Sequence, residues 1–312
     1  MKFFLPVLML IFVAISCSHT DNTKPDNNNG FLSKAEVLDL FLNQNDESLE
    51  MTEDVIERLN NLVPENQFVD NELLEQQEDE IKSGEFEGVE IADQVDLREW
   101  ANPTILNQLN GRCTAYSMVA TLELLACKKY GYCDHKLSEA HSWSYDKNYS
   151  CKTKVNSHLK NYTALSKYWP HDKKYPEVYD VNDKGFVRIE HGWYLKDNET
   201  KVIESLNLGL PVYIGMRTPV SMLSCKATVS PNSAPADGGH ALSVVGYYHY
   251  PEHRDLNYVL ILKNSWGKNC GDKGYQYLPM SLCKKDGFYC MFWAFDKLKF
   301  KDENQTSNKD FS

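Results

Sequence analysis

The sequence predicts an α+β fold: a helical part comes first and a set of antiparallel strands later in the chain. Two observations predict it. A long apolar run opens at Cys113, and three short apolar-aromatic runs bounded by glycine or turn residues begin near His240, Tyr258 and Gly274. The chain has 312 residues, enough for one large or two medium cores. Eighteen tyrosines and six tryptophans exclude a disordered body.

Taken in order, the first element is the run from Cys113 to Tyr130. It is rich in Ala and Leu, carries Lys128 and Lys129 in its last turn beside the negative dipole end, and stops at Gly131. These features predict a buried helix with Cys113 at its N-terminus. There the positive dipole end and free backbone N–H groups favour a thiolate over a thiol. Gly111 frees the backbone just before it, and Arg112 adds a cation. The strand after Gly238-Gly239 starts with His240, and the strand from Tyr258 delivers Asn264 at its end. A histidine and an asparagine on neighbouring antiparallel strands can hydrogen-bond, and the amide then fixes the imidazole tautomer. A buried cysteine, a satisfied strand histidine and a turn asparagine each have an ordinary structural reading. Their joint pattern points to nucleophilic catalysis.

Cys113 with its helix, Gly239-His240-Ala241, and Asn264-Ser265-Trp266-Gly267 resemble the three signature regions of the papain family of cysteine peptidases. The likeness runs from Val95 to near Phe295. It includes Val95-Asp96-Leu97-Arg98, similar to the start of a mature enzyme, Leu137-Ser138-Glu139 after the helix, and the passage from Val202 through Gly215 that opens the barrel domain. The resemblance implies a papain-like fold of two lobes, one helical and one an antiparallel barrel-like lobe, with the cleft between them. It also implies roles: Cys113 as nucleophile, His240 as its ion-pair partner and acid, Asn264 orienting His240, Trp266 shielding that bond, and Gln108 with the Cys113 backbone N–H donating to the oxyanion. Gly239 and Gly111 belong to the same supporting segments.

Three departures accompany the match. Gln108 lies one residue closer to Cys113 than the family glutamine, which leaves Asn107 as the alternative donor; Thr114 replaces a tryptophan; and no glycine-rich segment lies between Cys151 and Tyr175. They support a rival reading as a catalytically inactive, papain-like binding lipoprotein. A cell-wall amidase or transferase would use the same Cys-His logic, but the Asn-Ser-Trp-Gly block is not expected there. The reading adopted is a cysteine-type peptidase without cofactor or metal, acting on polypeptides, with no nucleic-acid partner and a monomeric state.

Charge divides the chain. From Ser18 to Gln94 there are 21 acidic and 4 basic residues; from Val95 to the end, 23 acidic and 28 basic. An acidic segment of net −17 thus precedes a body of net +5. It reads either as a solvated spacer or as a pro-segment held by the field of the basic domain. Within it Ser33 and Glu36 form a capping box ahead of Val37, and Thr52 caps a run carrying Val55, Ile56, Leu59 and Leu62. From Pro64 to Gly88 the pattern fades into acidic linker.

Met1-Lys2 and the apolar stretch Phe3 to Ile15, too short to span a bilayer, read as an export signal. Val13-Ala14-Ile15-Ser16-Cys17 resembles a bacterial lipoprotein cleavage site, with Cys17 lipidated; Ser18 after it implies sorting to an outer membrane, as an anchored protein of the cell envelope. The domain plan is therefore signal and lipobox 1–17, polar tether 18–30, acidic segment 31–88, peptidase domain 89–300 and polar tail 301–312. Nine cysteines in an exported chain imply disulfides. Besides Cys17 and Cys113 they are Cys127, Cys133, Cys151, Cys225, Cys270, Cys283 and Cys290, an odd number. Cys127 with Cys133 and Cys283 with Cys290 could each close a short loop; at least one thiol stays free unless a bridge forms between molecules.

Overall fold

The architecture comes from a computed structural model, which describes residues 30–44, 49–68, 86, 88–178 and 180–301. The export signal, Cys17, nearly all of the tether and the tail beyond 301 lie outside these residues. In the helical part, α4 (Cys113–Tyr130) is the central element. Almost all of its side chains from Cys113 to Cys127 are buried, so it is enclosed on nearly every face, with its polar Ser117, Thr121 and Glu123 hydrogen-bonded inside. It ends where the sequence predicts, at a left-handed Gly131 (φ 78°) whose N–H closes the last turn. Helices α5 (Glu139–Ser144) and α6 (Cys151–Lys160) pack beside it, each opened by a serine, Ser138 and Ser150, whose hydroxyl accepts a backbone N–H.

The strands form one antiparallel sheet. They are β1 (Gln94–Asp96), β2 (Thr163–Ala164), β3 (Gly185–Lys196), β4 (Val212–Pro219), β5 (Pro235–His249), β6 (Tyr258–Lys263), β7 (Tyr275–Pro279) and β8 (Cys290–Phe300). The order is β2-β3-β8-β4-β5-β6-β7, with β1 pairing the far end of β5. Helix α7 (Glu199–Asn207) leads into β4 as the sequence predicts. Among the described residues the barrel-like sheet stays open, with β2 and β7 at its two ends. A two-residue β2 offers too few backbone groups to carry a closing ladder. The core between sheet and helices is aromatic, with Trp293, Tyr213, Tyr247, Tyr277, Phe292 and Phe295 all fully enclosed. Thr121 of α4 donates to Ser243 of β5 (2.9 Å), tying the central helix to the middle of the sheet.

The acidic segment is built as far as it is described. Helix α1 (Lys34–Leu42) starts at the Ser33–Glu36 capping box, and α2 (Glu53–Asn60) at Thr52, whose hydroxyl accepts the Val55 N–H. The expectation that the pattern fades from Pro64 is corrected at its start; residues 69–85 and 87 lie outside the described residues. A single turn, α3 (Glu65–Phe68), follows, and Phe68 and Phe86 are both buried. Four residues are too few for periodicity to show, and it is contact with the body of the protein that forms the turn. Three disulfides join Cys127 to Cys133, Cys225 to Cys270 and Cys283 to Cys290. Two of these are the short loops read from spacing. The third links residues 45 apart and was not legible. Cys151 is the odd thiol, buried beside Gly215.

Candidate active site

Helix α4 delivers Cys113 as its first residue. The turn before it needs Gly111 at φ +64°, a left-handed conformation open to glycine at little cost, and the Tyr149 ring lies where a side chain on Gly111 would project. On the sheet side, β5 carries His240 opposite Met216 of β4. Asn264 follows directly on β6, the other neighbour of β5. The His240 Nε2–H donates to Asn264 Oδ1 at 2.9 Å, and the indole of Trp266 stacks on the imidazole at 4.3 Å. The direction of this bond is fixed by its surroundings. The Ser265 N–H also donates to Asn264 Oδ1 (2.7 Å), while Asn264 Nδ2 donates to Gln276 Oε1 (2.7 Å). The proton therefore sits on Nε2 and the lone pair on Nδ1, a buried atom with no hydrogen-bond partner.

Gln276 of β7 is the residue that sequence reasoning missed. It is fully buried and donates to the Met222 and Lys226 carbonyls (3.1 and 3.0 Å), so the chain His240–Asn264–Gln276 ends on fixed backbone. A polar side chain between Tyr275 and Tyr277 was the available signal. Gln108 and Asn107 separate cleanly. Gln108 is buried, its Oε1 accepts from Ser265 Oγ (2.6 Å), and its Nε2 has no partner. Asn107 is exposed. The donor that faces inward without an acceptor is on Gln108.

The site is covered. Cys113 and His240 are both wholly inaccessible to solvent, and the cover is the acidic segment. Val63 pairs with Gly239 as an antiparallel strand would: its N–H donates to the Gly239 carbonyl (3.1 Å) and its carbonyl accepts the Gly239 N–H (2.7 Å). Phe68 is fully buried over Gly239, where a side chain would collide with its ring, and beside Gly215, where a side chain would press on it at 3.2 Å; the ring lies 6.4 Å from that of Tyr289. Arg58 donates to the Leu223 carbonyl (2.8 Å), and Glu65 pairs with Arg217 at 3.6 Å. Between α2–α3 and Asn110, Gly111 and Tyr149 a cavity of about 730 Å³ remains. Enclosure reverses the ionisation expected for an open site. Burial pushes the Cys113 thiol up to about 12, against the pull of the Ala241, Thr114 and Cys113 amides, and burial drives the His240 imidazole down to about 4, against the Asn264 bond. Near neutrality the covered pair is thiol and neutral imidazole, so the thiolate expected from the helix terminus alone is not favoured while the cover is in place.

The model of the papain family cysteine protease matches residues 91–285, well over half of the chain. The chain belongs to the papain family of cysteine proteases. It is a cysteine-type peptidase whose substrates are polypeptides. Its fold is similar to that of xylellain, a cysteine protease from Xylella fastidiosa, with a TM-score of 0.56 and 18% identity, covering 67% of this chain and 88% of that one. It is similar also to the proform of Amb a 11, a cysteine protease and ragweed pollen allergen (TM-score 0.61, 20% identity, 78% of this chain and 76% of that one). A third likeness is to procathepsin B S9 from Trypanosoma congolense (TM-score 0.61, 17% identity, 81% and 90%). No curated protein sequence matches the chain.

Proposed function

We propose that Cys113 and His240 carry peptide-bond hydrolysis, that Asn264 orients His240, that Gln108 and the Cys113 N–H receive the oxyanion, and that residues 52–68 hold the enzyme closed. The observation that carries this reading is the buried, unpartnered Nδ1 of His240, bonded through its other nitrogen to Asn264 and stacked on Trp266. A lone pair so placed costs about 1–3 kcal/mol unless something uses it.

Once the cover leaves, the Cys113 proton passes to His240 Nδ1. The thiolate adds to the substrate carbonyl carbon while Gln108 Nε2–H and the Cys113 N–H hold the oxygen that becomes negative. The imidazolium gives its proton to the amide nitrogen, the C–N bond breaks and the amine leaves. Water then adds to the thioester, yielding one proton to His240; the C–S bond breaks, and that proton returns to the sulfur as the carboxylic acid departs. Phe68 occupies ground floored by Gly215 and Gly239, so a peptide with a large apolar side chain is the substrate that fits there. Mass spectrometry of a mixed peptide library digested by the chain starting at Val89 tests this reading. Cleavage should cluster near large apolar residues and vanish in Cys113→Ala; persistent cleavage in that variant would remove Cys113 from the mechanism.

The envelope location rests on Val13-Ala14-Ile15-Ser16-Cys17. Acylation of Cys17 would hold the protein on a membrane, and no described helix is long and apolar enough to cross one. Cys17→Ser should abolish acyl incorporation and release the protein from the membrane fraction.

A further inference from the structure

The acidic segment touches the peptidase domain at a second place, about 26 Å along β5 from His240, eight residues at the usual strand rise. There Phe31 and Leu32 lie in a socket made by Asp96 at the end of β1, Arg98 just after it, Tyr248 of β5, Asp272, and Tyr275 and Tyr277 of β7. Arg98 is buried, and its guanidinium grips Asp96 through Nε (3.0 Å) and Nη2 (2.6 Å). It also donates to the hydroxyl oxygens of Tyr277 (2.9 Å) and Tyr248 (3.0 Å). Arginine cannot accept, so both phenol hydrogens must point away from it. The Tyr277 hydroxyl donates to Asp272 Oδ2 (2.7 Å), and the Tyr248 hydroxyl donates to the Leu32 carbonyl (3.1 Å). Asp272 Oδ2 accepts the Leu32 N–H at 2.8 Å. Both polar groups of one residue's backbone are thus read by side chains that Arg98 has oriented. The Phe31 ring closes the socket, edge-on to Tyr275 (5.1 Å) and beneath the Arg98 guanidinium (4.4 Å). Beyond it the Tyr250 hydroxyl donates to the Lys34 carbonyl (2.6 Å), and Lys34 pairs with Asp93.

We infer that this socket is a docking site for the dipeptide Phe31-Leu32, and that it keeps the acidic segment bound to the peptidase domain after the chain between residues 68 and 92 is cut. The two pieces then persist as a non-covalent complex. Cleavage is not release, and whatever holds the N-terminal piece also holds the enzyme. That the complex is inactive rests on the proposed role of residues 52–68 as the plug; that it persists does not.

The test uses the full chain carrying Cys113→Ala, with a foreign endoprotease site inserted between residues 70 and 84, cut to completion and followed by size-exclusion chromatography over time. The N-terminal fragment should co-elute with the domain. In Phe31→Ala, which loses a desolvated cation–aromatic contact, and in Leu32→Pro, which lacks the N–H that Asp272 accepts, it should leave roughly tenfold faster. Leu42→Ala, at an exposed position of α1, should leave at the parent rate. Immediate loss of the fragment on cutting the parent chain, or equal rates in the parent and both socket variants, would overturn the inference. A parallel cut of the chain that retains Cys113 reads turnover. A fragment that stays bound while activity appears would sink the plug reading and leave the socket standing.

Discussion

Gln108 Nε2 and His240 Nδ1 are both enclosed without a partner among the described residues, one a donor and the other an acceptor, as the proposed mechanism requires. Truncation of Gln108 should therefore reduce turnover by roughly 10²–10³-fold, the range seen when one oxyanion donor is removed. Asn107→Ala should change it little, because that side chain faces solvent. Steady-state kinetics on the two variants decides, and a larger loss in Asn107→Ala would reassign the donor. Asn264→Ala should lower kcat with KM nearly unchanged, since the buried amide bonds the His240 ring and is proposed to orient it. Gln276→Leu should do the same more weakly, because Asn264 would keep His240 but lose its own support. A rise in KM without loss of kcat in either variant would mark a role in binding substrate. Cys113, His240 and Asn264 were legible because each is set off by its neighbours: glycines before the first two, and a serine and a tryptophan after the third. Gln276 was not, because its partnership depends on the register that brings β7 beside β6.

The segment that covers the cleft works through backbone and aromatic contacts. Val63 and Gly239 exchange two hydrogen bonds, and Phe68 fills the space that Gly239 and Gly215 leave free. Phe68→Ala removes the largest apolar contact of this cover, a loss of about 3–5 kcal/mol if the site does not collapse. In the full chain it should raise basal peptidase activity at least tenfold, measured before any cleavage against the form starting at Val89. Equal basal rates in parent and variant would mean that Phe68 does not hold the cover. Helices α1 and α2 were readable from their caps, Ser33 and Thr52, which are local signals. Helix α3 and the pairing of Val63 were not, since both exist only against the domain. The sheet was half legible: alternation and turns announced strands, but whether the sheet closes depends on the length of β2, for which the sequence holds no distinctive pattern.

At the scale of the whole molecule, the charge of −17 on one segment and +5 on the rest suggested a cover held by its field. The contacts assign the field a smaller part. Glu65 with Arg217 is a pair of that sign, but Lys34 with Asp93 lies within the acidic stretch itself, and the plug is apolar and backbone-bonded. Added salt should therefore loosen the cover only slightly. Protons should act more strongly. Closed, His240 holds its proton only below about 4, because burial opposes the charge. Open to water, an imidazole titrates near 6.5. Between these values the open form binds a proton that the closed form does not, so closure is fully favoured above about 6.5 and weakens as pH falls, by at most tenfold per unit, until about 4. Hydrogen-exchange protection of the Val63 and Gly239 amides in the Cys113→Ala full chain measures closure without reference to catalysis. Protection factors should be highest near pH 7.5 and roughly thirtyfold lower at pH 5, whereas in a His240→Gln variant the difference should disappear. Equal protection at the two pH values in the chain that keeps His240 would show that the covered imidazole is not what links closure to protons.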